Sequence, residues 1–216
     1  QKKTLFEQAI LGAWFALAIA REMKNIDIDP REAFLVALIR DIGYLHLPAS
    51  VLEVKATYSI GEQNAIKSHP LVAKLILDEL REIPNRLKIA VEEHHERCDG
   101  AGFPRGKIAE QLSLLGQVIA MADQMQFLAM SESNSKVLWL GNLTPFLNLN
   151  VATHFRETTL ATMRLIKNAQ LSHKRAIEDK DMPVFIQHLL ATQKKYIYLH
   201  ETLSQLLPIL NSATNK

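Results

Sequence analysis

Residues 94–104 read His94-His95-Glu96-Arg97-Cys98-Asp99-Gly100-Ala101-Gly102-Phe103-Pro104. The two histidines close a segment that Pro84 opens, in which Leu87, Ile89, Ala90 and Val91 lead towards His94 as a helix would. Three glycines and a proline between Cys98 and Gly106 then make loop chemistry, with Asp99 inside it. Neutral imidazole is a common ligand for divalent cations. Adjacent histidines are also frequent on plain surfaces, so the stretch needs partners from elsewhere in the chain before it reads as a site.

Candidates lie on both sides. Towards the N-terminus, Leu5, Phe6, Ala9, Ile10, Ala13, Leu17 and Ala20 recur at three- and four-residue spacing and predict an amphipathic helix. Asp29-Pro30 reads as an N-cap followed by proline at the first helical position, opening a helix through Phe34, Ala37 and Leu38. Gly43 and Pro48 break it and leave Asp41 at its end. Ser59-Ile60-Gly61-Glu62 fits a capping box, and Pro70 restarts or kinks that helix just after His69. Imidazoles and a carboxylate brought by separate helices can hold a divalent cation.

Towards the C-terminus, Leu112 to Met130 is apolar on most sides and predicts a buried helix. Asp123 sits inside it, after Ile119-Ala120-Met121-Ala122. An unpaired carboxylate there costs several kcal/mol or takes up a proton, so a cation should meet it, either in a structural salt bridge or as a metal. A loop over Ser131–Ser135 and two further helices, around 151–170 and 183–207, complete the reading. No alternating segments, hairpin signals or internal repeats are present, and the expected class is all-α.

Composition sets outer bounds. The 216 residues suffice for one sizeable core, with or without a small helical appendage. Lys+Arg 25 against Asp+Glu 23 gives a formal charge of +2, scattered and not striped, which argues against a nucleic-acid polymer as partner. One cysteine, Cys98, precludes a disulfide within the chain. The longest apolar stretch, Ala13 to Ala20, is too short to span a bilayer, and no signal-peptide pattern is visible. The expectation is a cytoplasmic segment, cut from a longer protein with an upstream domain.

Residues 94–104 resemble the H-H-E-x-x-D-G-x-G-Y-P signature of the HD-GYP family of metal-dependent phosphohydrolases, with Phe103 where tyrosine is usual. Arg40-Asp41-Ile42-Gly43-Tyr44 falls where that family carries H-D-I-G-K, and Ile66-Lys67-Ser68-His69-Pro70 resembles M-K-x-H-P. Ile119-Ala120-Met121-Ala122-Asp123 is similar to I-x-x-I-A-D. The elements keep family order from about residue 5 to 131. The resemblance implies an HD-type helical bundle over residues 1–135, with a C-terminal helical extension over 136–216 packed on it. It also implies hydrolysis of cyclic di-GMP with bound iron or manganese. Asp41 would be the bridging carboxylate, and the catalytic one if the chain is active. His69, His94 and His95 would complete one metal position, and Asp123 would belong to the other. Asp99, Gly100, Gly102, Phe103 and Pro104 would form the signature loop.

Several family residues are absent. Arg40 replaces a ligand histidine, and a guanidinium has no lone pair to offer. No histidine precedes His46, so the family's first-helix ligand is missing. Tyr44 replaces a lysine, and Glu132 stands where a phosphate-binding arginine is usual. The expectation is therefore a degenerate HD-GYP signalling domain, impaired or inactive, with one divalent metal or none. It would act through a signalling partner or an upstream sensory or receiver domain, with cyclic di-GMP as a candidate ligand. Two alternatives stay open: an active phosphodiesterase with altered metals, and a single-metal nucleotide sensor. Arg40 is expected to replace the missing metal by pairing with Asp123. His46 reads as a solvated loop histidine, and His154, His173, His188 and His200 as surface or cap residues. Trp14 and Trp139 read as core, and Cys98 as an inert or weakly reactive thiol.

Overall fold

Helix α1, Lys2–Glu22, turns one face inward through Ala13, Ala16, Ile19 and Ala20. These positions recur every three or four residues, and the small side chains let neighbouring helices approach closely. The computed structural model describes residues 2–24, 26–52, 57–131, 147–148 and 153–168, with isolated positions between 183 and 198. The chain divides into two compact units, Gln1–Ser172 and His173–Lys216. In the second, the described positions, Pro183, Val184, Gln187, Leu190, Ala191, Lys194 and Tyr198, are helical.

Helix α2, Pro30–Ile39, starts where its cap dictates. The Asp29 carboxylate accepts from the Arg31 N–H at 2.8 Å, with proline at the first helical position. It lies along α1, burying Ala33, Val36 and Ala37. A 3-10 turn, Ile42–His46, and the short α3, Ala49–Leu52, follow. Ser59 and Glu62 close a reciprocal capping box at the head of α4, Ile60–Lys67. Ser68 ends α4, and α5, His69–Asp78, begins with Pro70 in its first turn. Helix α6, Asn85–Glu92, leads into the loop that carries the signature.

Helix α7, Leu114–Ser131, is the central element. Val118 to Ala122 are all buried, so this stretch is covered on every side, by α1, α2 and α6 among others. It starts two residues later than the apolar pattern suggests, because Leu112 is extended and the Ser113 N–H is taken by Glu93. Helix α8, Arg156–Asn168, packs on α1 and α7, and Arg164 Nη2 donates to the Glu22 carbonyl at 2.9 Å. The described residues thus form the all-helical bundle expected, with no strand among them beyond an isolated bridge between Asp99 and Ile108. No described helix is long and apolar enough to cross a membrane. Glu132, Trp139, His173, His188 and His200 lie outside the described residues. Trp14, read as core, is 57% exposed and meets Phe34 edge-on, with ring centroids 5.5 Å apart.

Candidate metal centre

Three helix junctions deliver the site. Asp41 follows α2, His69 opens α5, and His94 and His95 follow α6. Gly43 brings the first two together: a Cβ there would overlap the His69 carbonyl, so only glycine lets the 3-10 turn lie flat on α5. Asp41, His69, His94 and His95 each offer a ligand atom, and these atoms lie within 4.8 Å of one another.

The hydrogen bonds decide what these atoms carry. His69 Nδ1 lies 2.6 Å from the Ile66 carbonyl, and His94 Nδ1 lies 2.6 Å from the Val91 carbonyl. A carbonyl can only accept, so each Nδ1 donates, the tautomer that in a neutral ring leaves the lone pair on Nε2. The two Nε2 atoms face each other at 3.1 Å, and Asp41 Oδ1 lies 3.4 and 3.7 Å from them. In those tautomers three electron-rich atoms converge, an arrangement that a cation would satisfy. Two nitrogens 3.1 Å apart are close enough to serve one ion with metal–nitrogen bonds of about 2.1 Å. The donor set of imidazoles and one carboxylate fits a first-row divalent ion such as iron, zinc or manganese, the imidazoles suiting the first two and the carboxylate the third. His95 is suited to ligation as well. Burial, and the imidazoles of His94 and His69, hold it well below the usual histidine range, so it is neutral. His69 and His94 form the closed floor, with side chains 0% exposed, whereas Asp41, His95 and Asp123 at 19–24% face the opening.

Beside this cluster lies Arg40, 1% exposed. Its Nε and Nη2 donate to Asp123 Oδ1 at 3.2 and 3.0 Å, Nη2 also to Gln126 Oε1 at 3.0 Å, and Nη1 to the Ala37 carbonyl at 2.6 Å. Nε stands 3.3 Å from Asp41 Oδ2. Asp41 is thereby divided, one oxygen towards the guanidinium and the other towards the histidines. Burial favours the neutral acid at Asp41, but the Arg40 guanidinium and the His69 and His94 imidazoles together outweigh it and hold the carboxyl well below the usual range. At Asp123 burial wins, against Arg40 and with help from the charge on Asp41, and the pKa is raised. Asp123 Oδ2 lies 3.5 Å from His95 Nδ1. Gln126 was not singled out in the sequence. Its place one turn after Asp123 on α7 is the signal that could have found it.

Buried carboxylates shape the signature loop. Glu96 accepts the backbone N–H groups of Arg105 at 2.6 Å and Lys107 at 2.9 Å, one on each oxygen. Glu93 accepts from Lys107 Nζ at 2.8 Å and from the Ser113 N–H at 2.9 Å, and Glu92 pairs with Arg105. Gly100 takes φ +76°, and Gly102 lies against the backbone of Arg97. Asp99 faces away from the cluster: its carboxylate takes Arg97 Nη2 at 2.8 Å and the Ala101 N–H at 3.0 Å. Phe103, joined to Pro104 by a cis peptide, stacks on His95 with centroids 4.5 Å apart. Tyr44 stacks on His69 at 4.0 Å, and burial, with the carboxylates of Asp41 and Asp123, pushes its hydroxyl up. Two aromatic rings therefore brace two of the imidazoles.

His46 is exposed and outside the cluster. Burial pushes the Cys98 thiol up to about 11. His154 corrects the sequence reading: it is 7% exposed, with burial and then Arg97 lowering its pKa to about 4, and its Nδ1 has no partner among the described residues. The neighbouring Thr153 carbonyl accepts the Cys98 N–H at 2.9 Å, so residues 153–154 cover the signature loop.

The HD domain family matches residues 2–136. A cyclic di-GMP phosphodiesterase of Pseudomonas aeruginosa is 33% identical over 107 residues, which is 50% of this chain and 26% of that protein. A 3'3'-cGAMP-specific phosphodiesterase of Vibrio cholerae is 31% identical over 105 residues, 49% of this chain and 23% of that protein. The matched part of the chain spans about a quarter of the length of these relatives. Among solved structures, an HDG"Y"P protein from Bdellovibrio bacteriovorus, Bd1817, superposes with a TM-score of 0.59 at 20% identity, over 76% of this chain and 53% of that one. That likeness concerns the fold.

Proposed function

Since the chain belongs to the HD domain family, matched over residues 2–136, we propose that it is a cytoplasmic HD-GYP-type signalling domain. It holds a divalent ion, turns over cyclic di-GMP poorly or not at all, and acts through protein contact. The observation that carries this reading is the buried Arg40 guanidinium, bound to Asp123 and facing Asp41, directly beside the convergent histidines.

Asp41 Oδ1, His69 and His94 Nε2 and His95 would hold the ion. Bound there, it would polarise a phosphate oxygen and acidify a bound water. The residues around it do less for turnover. An in-line displacement needs positive charge at both the entering and the leaving oxygen. On the second side, among the described residues, stands Arg40, whose hydrogen bonds run to Ala37, Asp123 and Gln126 and not to the opening. Tyr44, protonated and stacked on His69, carries no charge to a phosphate. The reading keeps residues 1–135 as the HD core and 136–216 as a helical extension. The much longer relatives support a sensory or receiver domain as the partner, in the same protein or another.

The test is incubation of the chain with cyclic di-GMP and manganese or ferrous iron. The expected outcome is little or no linear dinucleotide or GMP. Turnover near ~1 per second, ordinary for an enzyme, overturns the reading. It would favour instead an active phosphodiesterase, the alternative supported by the intact Asp41–His69–His94–His95 set and by relatives that bear that activity in their names. Tight binding of cyclic di-GMP without turnover or a protein partner would favour a single-metal nucleotide sensor.

A further inference from the structure

Resting on the metal site proposed above, we infer that Arg40 is a built-in cation that keeps this centre to a single divalent ion, and that Gly12 makes the room for it. All the acceptors that Arg40 meets are oxygens: the Ala37 carbonyl, the Gln126 amide and the carboxylates of Asp41 and Asp123. A hole lined by two carboxylates, an amide and a carbonyl is also the donor set of a hard divalent ion. The guanidinium fills it. It engages Asp41 Oδ2 and Asp123 Oδ1, the two carboxylate oxygens nearest to it, and leaves Asp41 Oδ1 to the histidines. A second ion could enter only by displacing a paired, buried charge.

Gly12, in the middle of α1, explains how a long side chain reaches this place. A Cβ on Gly12 would lie 2.6 Å from Arg40 Nη1 and 3.1 Å from both Cζ and Nη2. Glycine inside a helix is less favourable than alanine, so its presence there needs a packing reason. The contact with the guanidinium supplies one. With Oδ1 held by Arg40, Asp123 Oδ2 lies 3.5 Å from His95 Nδ1, on the side of that ring next to the filled hole.

The experiment counts manganese ions bound per chain, by equilibrium dialysis with elemental analysis and by calorimetric titration. The wild type should take up one ion and Arg40→Ala two. Arg40→Ala with Asp123→Asn should return to one, since the vacated hole then loses a carboxylate. Arg40→Gln is counted in the same way should Arg40→Ala fail to fold. Gly12→Ala keeps the arginine and favours the helix, yet pushes Nη1 out of its place, and should admit a second, weaker ion. Two ions in the wild type overturn the inference. So does a single ion in every folded variant, and that result leaves the metal site itself standing. No ion in the wild type overturns the metal site, and the inference with it.

Discussion

Arg40 is buried beside the histidines, bonded to Asp123 and 3.3 Å from Asp41. A buried guanidinium is stable only while its carboxylates remain, and the reverse holds as well. In metal-free buffer, Arg40→Ala should destabilise the chain by roughly 3 kcal/mol, because Asp123 and Asp41 lose their counter-charge. Arg40→Ala combined with Asp123→Asn should cost less than the sum of the two single changes. Denaturant unfolding of the four proteins measures both quantities, and strict additivity would mean that the two residues are energetically independent. The pair is legible in the sequence because Asp123 stands in an apolar helix and demands a cation, while Arg40 replaces a ligand in a recognisable motif. The remaining acceptors, Ala37 and Gln126, are not, since they depend on how α2 and α7 are turned towards each other. The role of Gly12 is hidden for the same reason: its neighbour is 28 residues away in the chain and in contact only after α1 and α2 have packed.

At the scale of elements, the helices are legible because their apolar spacing and caps agree. Asp29-Pro30 and Ser59–Glu62 start α2 and α4 where such residues should. The signature loop is different. Its glycines announce a loop, but nothing in the spacing says that Glu96 bonds backbone N–H groups nine and eleven residues further on. Glu96→Gln replaces one of the two acceptor oxygens by a donor and leaves an N–H facing an N–H. The expected cost is about 1–3 kcal/mol, with faster tryptic cleavage after Arg105 and Lys107 in the native protein. An unchanged cleavage rate would show that the loop is held by other means. His154 is the clearest misreading, since nothing in the spacing hints that residues 153–154 pack over Arg97–Asp99. Its folded pKa of about 4 lies below the unfolded value of about 6.5. Between these values the unfolded chain binds more protons, so stability should fall as pH drops from 6.5 to 4 and be fully present above 6.5. The whole step is on the order of 3 kcal/mol. His154→Leu should flatten that part of the stability profile, measured by thermal unfolding at successive pH values. An equally steep slope in the variant would remove His154 as its cause.

Across the whole molecule, three helix junctions bring one carboxylate and three imidazoles to a point, and one buried arginine pairs with Asp123 beside them. Order and spacing of the motifs make the first part readable from the chain. What the convergence holds depends on tautomers, which only the carbonyls of Ile66 and Val91 reveal. A ligand that binds only the folded chain raises its stability, by about 2.7 kcal/mol at one hundred times its dissociation constant. For a chain of this size that is about 5–10 °C in the unfolding midpoint. The most direct measurement is therefore the thermal unfolding midpoint with and without saturating manganese, for the wild type and for His69→Ala with His94→Ala. A divalent ion held by Asp41, His69, His94 and His95 predicts a rise of that size in the wild type and none in the double variant. No rise in the wild type, or an equal rise in both, contradicts it.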